Sequence, residues 1–226
     1  MQIIFSKIAT PKQGNIVLFS NGVGELGAFA QQVDRETGGQ LTRSIEASRY
    51  KGAFGQIIII TAPAGLQVRR VTLVGLGNIN DLIPIKAQKL GGKIIDALQS
   101  LGDETISIAF DHSNNTSLTM ADFSSNIAFG ARLRRHRFDK YFTKEPDDKK
   151  PTVNTLHIMT ADPIATEKAF APLKHLADGV LLARDLVTEP GNVLYPESYA
   201  NQITALTELG VEVEVLDEDV MQSLGM

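Results

Sequence analysis

Residues 55–77 read GQIIIITAPAGLQVRRVTLVGLG. Two short apolar runs, Ile57-Ile58-Ile59-Ile60 and Val71-Thr72-Leu73-Val74, stand close together in this stretch. Apolar runs of this length without polar alternation read as strands covered on both faces, as in a sheet with helices on each side. The pattern on either side supports that class. Upstream, residues 2–9 and 15–20 are β-rich and are separated by Pro11 and Gly14, a turn signal. Residues 25–36 have helical spacing, with Leu26, Phe29, Ala30 and Val33 on one face, and Gly38-Gly39 ends the helix. Downstream, Pro84 opens a helix that runs to about Leu101 and stops at Gly102. Residues 105–110 and 153–159 read as strands, and residues 119–135 as a helix. Residues 144–151 (KEPDDKKP) form a charged, exposed loop.

The last third has a different character. Residues 164–187 keep one helical stripe whose apolar members include Phe170, Leu173, Leu176, Val180, Ala183 and Val187. A helix this long, ending at Glu189-Pro190, suits a connector between domains. A helix over residues 197–209 follows. Residues 211–216 (VEVEVL) then alternate as a strand, and Asp217 caps a new helix before the sequence ends at Met226. Strand and helix are the opening of a βαβ unit, which needs about thirty residues and a sheet to join. The expected organisation is a mixed sheet flanked by helices over residues 1–162, a connecting helix over 163–190, and an incomplete second α/β domain over 191–226.

Composition excludes several classes. The chain has 226 residues, 43% hydrophobic and 21% charged, with a formal net charge of −4 and a pI near 5.6. These are ordinary values for a folded domain and more acidic than usual for a protein that neutralises many phosphates. With no cysteine there is no disulfide, thiolate metal site or thiol nucleophile. No apolar run approaches the roughly twenty residues of a membrane span, and MQIIFSKIATPKQGN does not read as a signal peptide. The expected location is the cytoplasm.

Four patterns could carry chemistry. Gly22-x-Gly24-x-x-Gly27 lies between a strand and a helix, the context of a dinucleotide-binding fingerprint. Its acidic partner would be Glu46, but TRSIEASRY around Glu46 reads as helix, so a glycine-rich turn is the plainer reading. Val74-Gly75-Leu76-Gly77 ends a buried strand, where glycines can line a ligand crevice. Arg132, Arg134, Arg135, His136, Arg137 and Lys140 could contact nucleic-acid phosphates, or could simply oppose the negative end of a helix dipole. Metal chemistry has little support. His112, His136, His157 and His175 form no i, i+4 pair, and Asp217, Glu218 and Asp219 read as a cap and an acidic first turn.

Ala183-Arg184-Asp185-Leu186-Val187, Glu189-Pro190, Asn192 and Tyr195-Pro196-Glu197-Ser198 closely resemble the segment joining the two domains of leucyl aminopeptidases. Upstream runs resemble the amino-terminal domain of that family: Thr37-Gly38-Gly39, Leu41-Thr42-Arg43, residues 46–52 (EASRYKG), Ala62-Pro63-Ala64-Gly65-Leu66, Val74-Gly75-Leu76-Gly77, Gly130-Ala131-Arg132-Leu133-Arg134 and Tyr141. The match spans nearly the whole chain. Thr188 and Gly191 depart from it, where Asn and Ala are commonest. The resemblance implies a macro-domain-like fold, a fold that binds ADP-ribose in other proteins. It also implies a parent enzyme that releases leucine and similar residues from peptide amino termini and assembles as a homo-hexamer. Some bacterial relatives also act on DNA. In the family, two divalent metals, Mn²⁺ or Zn²⁺, are held by Lys, Asp and Glu of the carboxy-terminal domain. The family's Asn-Thr-Asp-Ala-Glu-Gly-Arg-Leu motif is nowhere in these residues. No catalytic, cofactor-binding or metal-binding residue is therefore assigned to this chain. The reading is the non-catalytic amino-terminal part of a leucyl aminopeptidase. The alternative is a stand-alone module that binds a nucleotide or nucleic acid.

Overall fold

The structure, a computed structural model, describes residues 1–22, 24–111 and 118–226. The elements in chain order are β1 (Gln2–Ser6), β2 (Asn15–Ser20), α1 (Ala28–Glu36), α2 (Gln40–Glu46), β3 (Ile57–Thr61), β4 (Arg70–Gly75), α3 (Pro84–Leu98), β5 (Thr105–Ala109), α4 (Met120–Arg135), β6 (Thr155–Met159), α5 (Pro163–Thr188), α6 (Pro196–Thr204) and α7 (Glu218–Ser223). Among the described residues the strands form one six-stranded sheet in the order β1-β6-β5-β2-β4-β3. All pairs are parallel except β3–β4, so the sheet is mixed, as expected. The turn signal at Pro11 and Gly14 does not make a hairpin. β1 pairs with β6 at one edge, and two strands separate it from β2.

Side-chain alternation builds a core on each face. Val17 and Phe19 of β2, Ile106 and Ile108 of β5, and Leu156 and Ile158 of β6 pack with α3, α4 and the first half of α5. Ile16 and Leu18 of β2 and Val71 and Leu73 of β4 pack with α1 and α2 through Phe29, Ala30, Val33 and Leu41. In the first core Phe110 and Phe123 stack with ring centroids 4.1 Å apart.

Capping and turn chemistry set the helix ends. Pro84 occupies the first turn of α3. The Thr119 hydroxyl accepts from Asp122 N at the start of α4, 3.0 Å away. Asp34 closes the turn between α1 and α2 by accepting from Leu41 N and Thr42 N, while Gly39 adopts the left-handed conformation the turn requires. At the amino ends of the strands, buried Asp103 pairs with Arg70 and ties the start of β4 to the approach to β5.

Four expectations need correction. The apolar run 57–60 is not covered on both faces, because β3 is an edge strand and Ile59 is 37% exposed. Leu26 does not join α1; it bridges back to Ser20. The α5 stripe is buried through Thr166, Phe170 and Ala177, whereas Leu176 and Val187 are exposed. Residues 211–216 form no strand, because extended backbone becomes sheet only when a neighbour takes its hydrogen bonds.

The chain divides into two compact units, Met1–Leu181 and Leu182–Met226, with the boundary inside α5. In the second unit α6 begins at Pro196, with Ser198 Oγ accepting from Tyr195 N at 2.9 Å, and a 3₁₀ turn spans Ala205–Leu209. Asp217 caps α7 by accepting from Val220 N, 2.9 Å away, as expected.

His157 on β6 lies 2.6 Å from Ser6 Oγ on β1. Burial holds its imidazole below the ordinary range. The folded state thus binds fewer protons than the unfolded chain below about pH 6.5. This group's contribution to stability is complete above that pH and is lost as pH falls toward the folded pKa. A thermal-melt series from pH 7 to pH 5 should show a weaker acid dependence for His157→Gln than for wild type. Identical slopes would mean that His157 does not set it.

Candidate functional site

The crevice at the carboxyl ends of the parallel strands is where an α/β fold places ligands. Beside the ends of β2 and β4 the protein's own backbone packs closely into it. A Cβ on Gly22 would sit 2.9 Å from the Gly77 carbonyl carbon, so the two glycine-bearing turns touch. A Cβ on Gly75 would collide with the carbonyls of Gly52 and Ala53. Asp111, just past β5, points its carboxylate at the start of α1, where Phe29 N donates to it. A Cβ on Gly27 would strike that same carboxylate. In a dinucleotide site the pyrophosphate takes this position on the helix N-terminus. Asp111 holds it instead, and a phosphate placed beside it would meet like charge. Glu46 ends α2 and is not at a strand terminus, so it cannot serve as the ribose partner. The glycines therefore read as close-packing positions.

Ser20 at the end of β2 bonds the Tyr50 hydroxyl at 2.7 Å inside this wall. Burial pushes the Tyr50 phenol up to about 12, against the opposing pull of the Ser20 hydrogen bond. It stays protonated at neutral pH and acts as a structural link.

The basic run caps α4 and is largely committed to internal partners. Arg132 pairs with Asp178 of α5, and Arg134 pairs with Asp96 of α3. Arg135 donates to the carbonyls of Val153 at 2.9 Å and Pro151 at 3.3 Å. Arg137 pairs with Glu145 at 2.6 Å, and its guanidinium lies 5.2 Å from the Phe142 ring centroid. His136 follows the last turn of α4, and Lys140 lies over the Tyr141 ring. Paired cations at a helix C-terminus stabilise the helix and offer little to a polyanion. Duplex DNA should accordingly bind no tighter than the usual non-specific range of roughly 10⁻⁴–10⁻⁶ M, weakening as salt rises. A titration of labelled duplex at two salt concentrations checks this. Sub-micromolar binding lost in Arg134→Ala/Arg135→Ala would contradict it.

Among the described residues, no group of three or more His, Cys, Asp or Glu side chains is placed to hold a metal ion. His157 is engaged with Ser6, His175 is exposed on α5, and His112 lies outside the described residues. Asp217 is a cap, with Glu218 and Asp219 in the first turn of α7. Sequence reasoning missed the acids that decide these sites: Asp96, Asp111 and Asp178. The one signal available was the position of Asp111 directly after a strand.

Comparison with known proteins is consistent with this geometry. The model of the cytosol aminopeptidase family, N-terminal domain, matches residues 16–145. This chain belongs to the cytosol aminopeptidase family. A probable cytosol aminopeptidase of a Bradyrhizobium species is 37% identical over 229 residues, covering 100% of this chain and 45% of its own length. A counterpart in Caulobacter vibrioides is 39% identical over 199 residues, covering 87% of this chain and 38% of its own. The chain thus spans less than half the length of these family members. Among solved structures, a tomato leucine aminopeptidase mutant matches with a TM-score of 0.84 at 23% identity, over 100% of this chain and 46% of its own. The bottromycin maturation enzyme BotP, in complex with Mn, gives 0.69 at 20% identity over 94% of this chain. These likenesses establish that the mixed sheet flanked by helices is shared with leucine aminopeptidase. Among the described residues, no helix is long and apolar enough to cross a membrane.

Proposed function

We propose that this chain is the amino-terminal, non-catalytic part of a leucyl aminopeptidase, a metal-dependent hydrolase that releases amino-terminal residues from peptides in the cytoplasm. The observation that carries the reading is the family match to residues 16–145 together with the chain's share, 45%, of a full-length relative. The division of labour follows from the side chains. Hydrolysis by two bridged metals needs a cluster of ligands around a shared water, and among the described residues no three His, Cys, Asp or Glu form a group that could hold a metal ion. The metals, Mn²⁺ or Zn²⁺, belong to the carboxy-terminal domain of the parent enzyme. The Mn complex of a structural neighbour supports manganese. In this reading residues 1–162 are a shaping and interface domain, residues 163–190 a connecting helix, and residues 191–226 the first elements of the catalytic domain. The assembled enzyme is a homo-hexamer. The alternative, a stand-alone nucleotide- or nucleic-acid-binding module, is disfavoured by the Asp111 carboxylate at α1 and by the paired arginines of α4.

The test is made on the polypeptide encoded by the whole reading frame. It should hydrolyse a leucine amide with added Mn²⁺, and residues 211–216 should gain hydrogen-exchange protection relative to the 226-residue chain. In the shorter chain that segment has no sheet partner to offset the ordering entropy, roughly 1–2 kcal/mol per residue for backbone alone. A reading frame that ends at Met226 would refute the proposal.

A further inference from the structure

We propose that β3 is a self-pairing edge at which a second copy of this chain joins antiparallel, extending the sheet across a twofold axis. At one end of β3, Gly75 N donates to Gln56 O at 2.8 Å; at the other, Ala62 N donates to Arg69 O at 2.9 Å. Even-numbered residues therefore bond inward to β4, and the register Ile58↔Leu73 and Ile60↔Val71 continues the alternation. The amides and carbonyls of Ile57, Ile59 and Thr61 point away from the sheet. Among the described residues no hydrogen bond to these backbone groups is made from any loop or side chain.

Edges of natural sheets are normally blunted with charge, proline or a bulge inside the strand. None lies within IIIIT itself; just before it Gly55 and Gln56 together oppose Gly75 as a one-residue bulge, and Pro63 stands two residues after Thr61. The whole run from Gly52 to Val68 contains no Asp, Glu, Lys, Arg or His. In a chain that is 21% charged, that silence leaves a partner of opposite charge nothing to recognise. It also removes the like-charge opposition that self-pairing would otherwise create.

A second copy is an occupant that this geometry fits. The three outward-facing residues are symmetric about Ile59. A twofold axis at Ile59 sets Ile57 against Thr61 of the other copy, Ile59 against Ile59, and Thr61 against Ile57. Every outward donor and acceptor then finds its complement in one register, an isologous contact that closes on itself. Ile59, 37% exposed, is covered by its own counterpart at the cross-strand distance of about 5.5 Å. The opposite edge, β1, is paired parallel to β6 and lies at the other end of the sheet, away from this contact.

The experiment compares sedimentation velocity of wild type, Ile59→Lys, Ile59→Pro and Ile4→Lys across the micromolar range, with circular dichroism and melting temperature as checks of folding. Proline at 59 removes only an outward amide and leaves the β4 ladder intact. Expected is a reversible wild-type assembly whose mass halves in both position-59 variants, with self-affinity falling at least about tenfold. Ile4→Lys, on β1, should behave as wild type. The chain has no cysteine of its own, so Ile59→Cys gives a single site that a short bis-maleimide should couple as a covalent dimer. A wild type that is monomeric throughout overturns the proposal. So does an assembly unchanged by both position-59 variants, or one lost only in Ile4→Lys. This outcome is independent of leucine-amide hydrolysis and is read separately from it.

Discussion

Incubated with a leucine chromogenic amide and Mn²⁺, the 226-residue chain releases no chromophore above buffer; that is the expected result with Zn²⁺ as well. Enzymes lower activation barriers by roughly 8–23 kcal/mol. In a two-metal hydrolase much of that comes from a water whose pKa the ions depress, and from the charge they oppose in the transition state. Both require ligands clustered around the ions, and among the described residues no three His, Cys, Asp or Glu form a group that could hold a metal ion. The carboxylates that are well placed are already employed. Asp103 holds Arg70, Asp111 holds the start of α1, and Asp217 caps α7. Turnover that co-elutes with the chain through repurification and is abolished by a chelator would contradict the expectation.

The second large effect is a sign reversal between two glycines in crossing helices. An exposed helical Gly→Ala change gains up to about 1 kcal/mol from backbone entropy alone. At Gly130 of α4 the new Cβ would be driven into the Gln88 carbonyl of α3, and at Gly91 the reciprocal collision is with the Ile127 carbonyl. Those obstacles are backbone atoms inside helices and cannot rotate away, so the helices must separate and the surrounding core must loosen. Gly130→Ala should therefore destabilise by about 3 kcal/mol, at the upper end of overpacking costs. For a chain of this size that lowers Tm by about 6–12 °C. Gly92, adjacent to the same crossing, has its nearest new contact at 3.8 Å, to the Arg134 side chain. Gly92→Ala should be neutral or slightly stabilising. Thermal melts of the two variants decide the matter. Equal shifts would mean that the close approach of α3 and α4 is not what these glycines serve.

Local physics made much of this protein legible from its sequence. Pro84, Thr119 and Asp217 mark helix starts because a helix N-terminus needs its orphan amides satisfied within a few residues. Residues 15–20 and 71–74 are strands because alternate side chains find apolar cover on both faces. The runs from Thr37 to Arg134 and the joining segment at 183–198 pointed to the family that the comparisons established. What required tertiary structure were decisions made by residues far apart in the chain. An apolar run does not say whether its strand is central or at an edge; among the described residues β3 pairs with a strand on one side only, and its Ile59 is 37% exposed. The alternation at 211–216 states a preference for a sheet but supplies no neighbour, and without one the segment forms no strand. The glycines at 22, 24 and 27 would suit a phosphate until Asp111, 82 positions from Phe29, takes the helix end. The basic run of α4 was strongly cationic as a string, and Asp96 and Asp178 answer two of its arginines only after α3 and α5 have packed beside it. Caps and periodicities act over a few residues and can be read in order. Charge pairing, edge position and backbone approach act through space, and the chain must be folded before they exist.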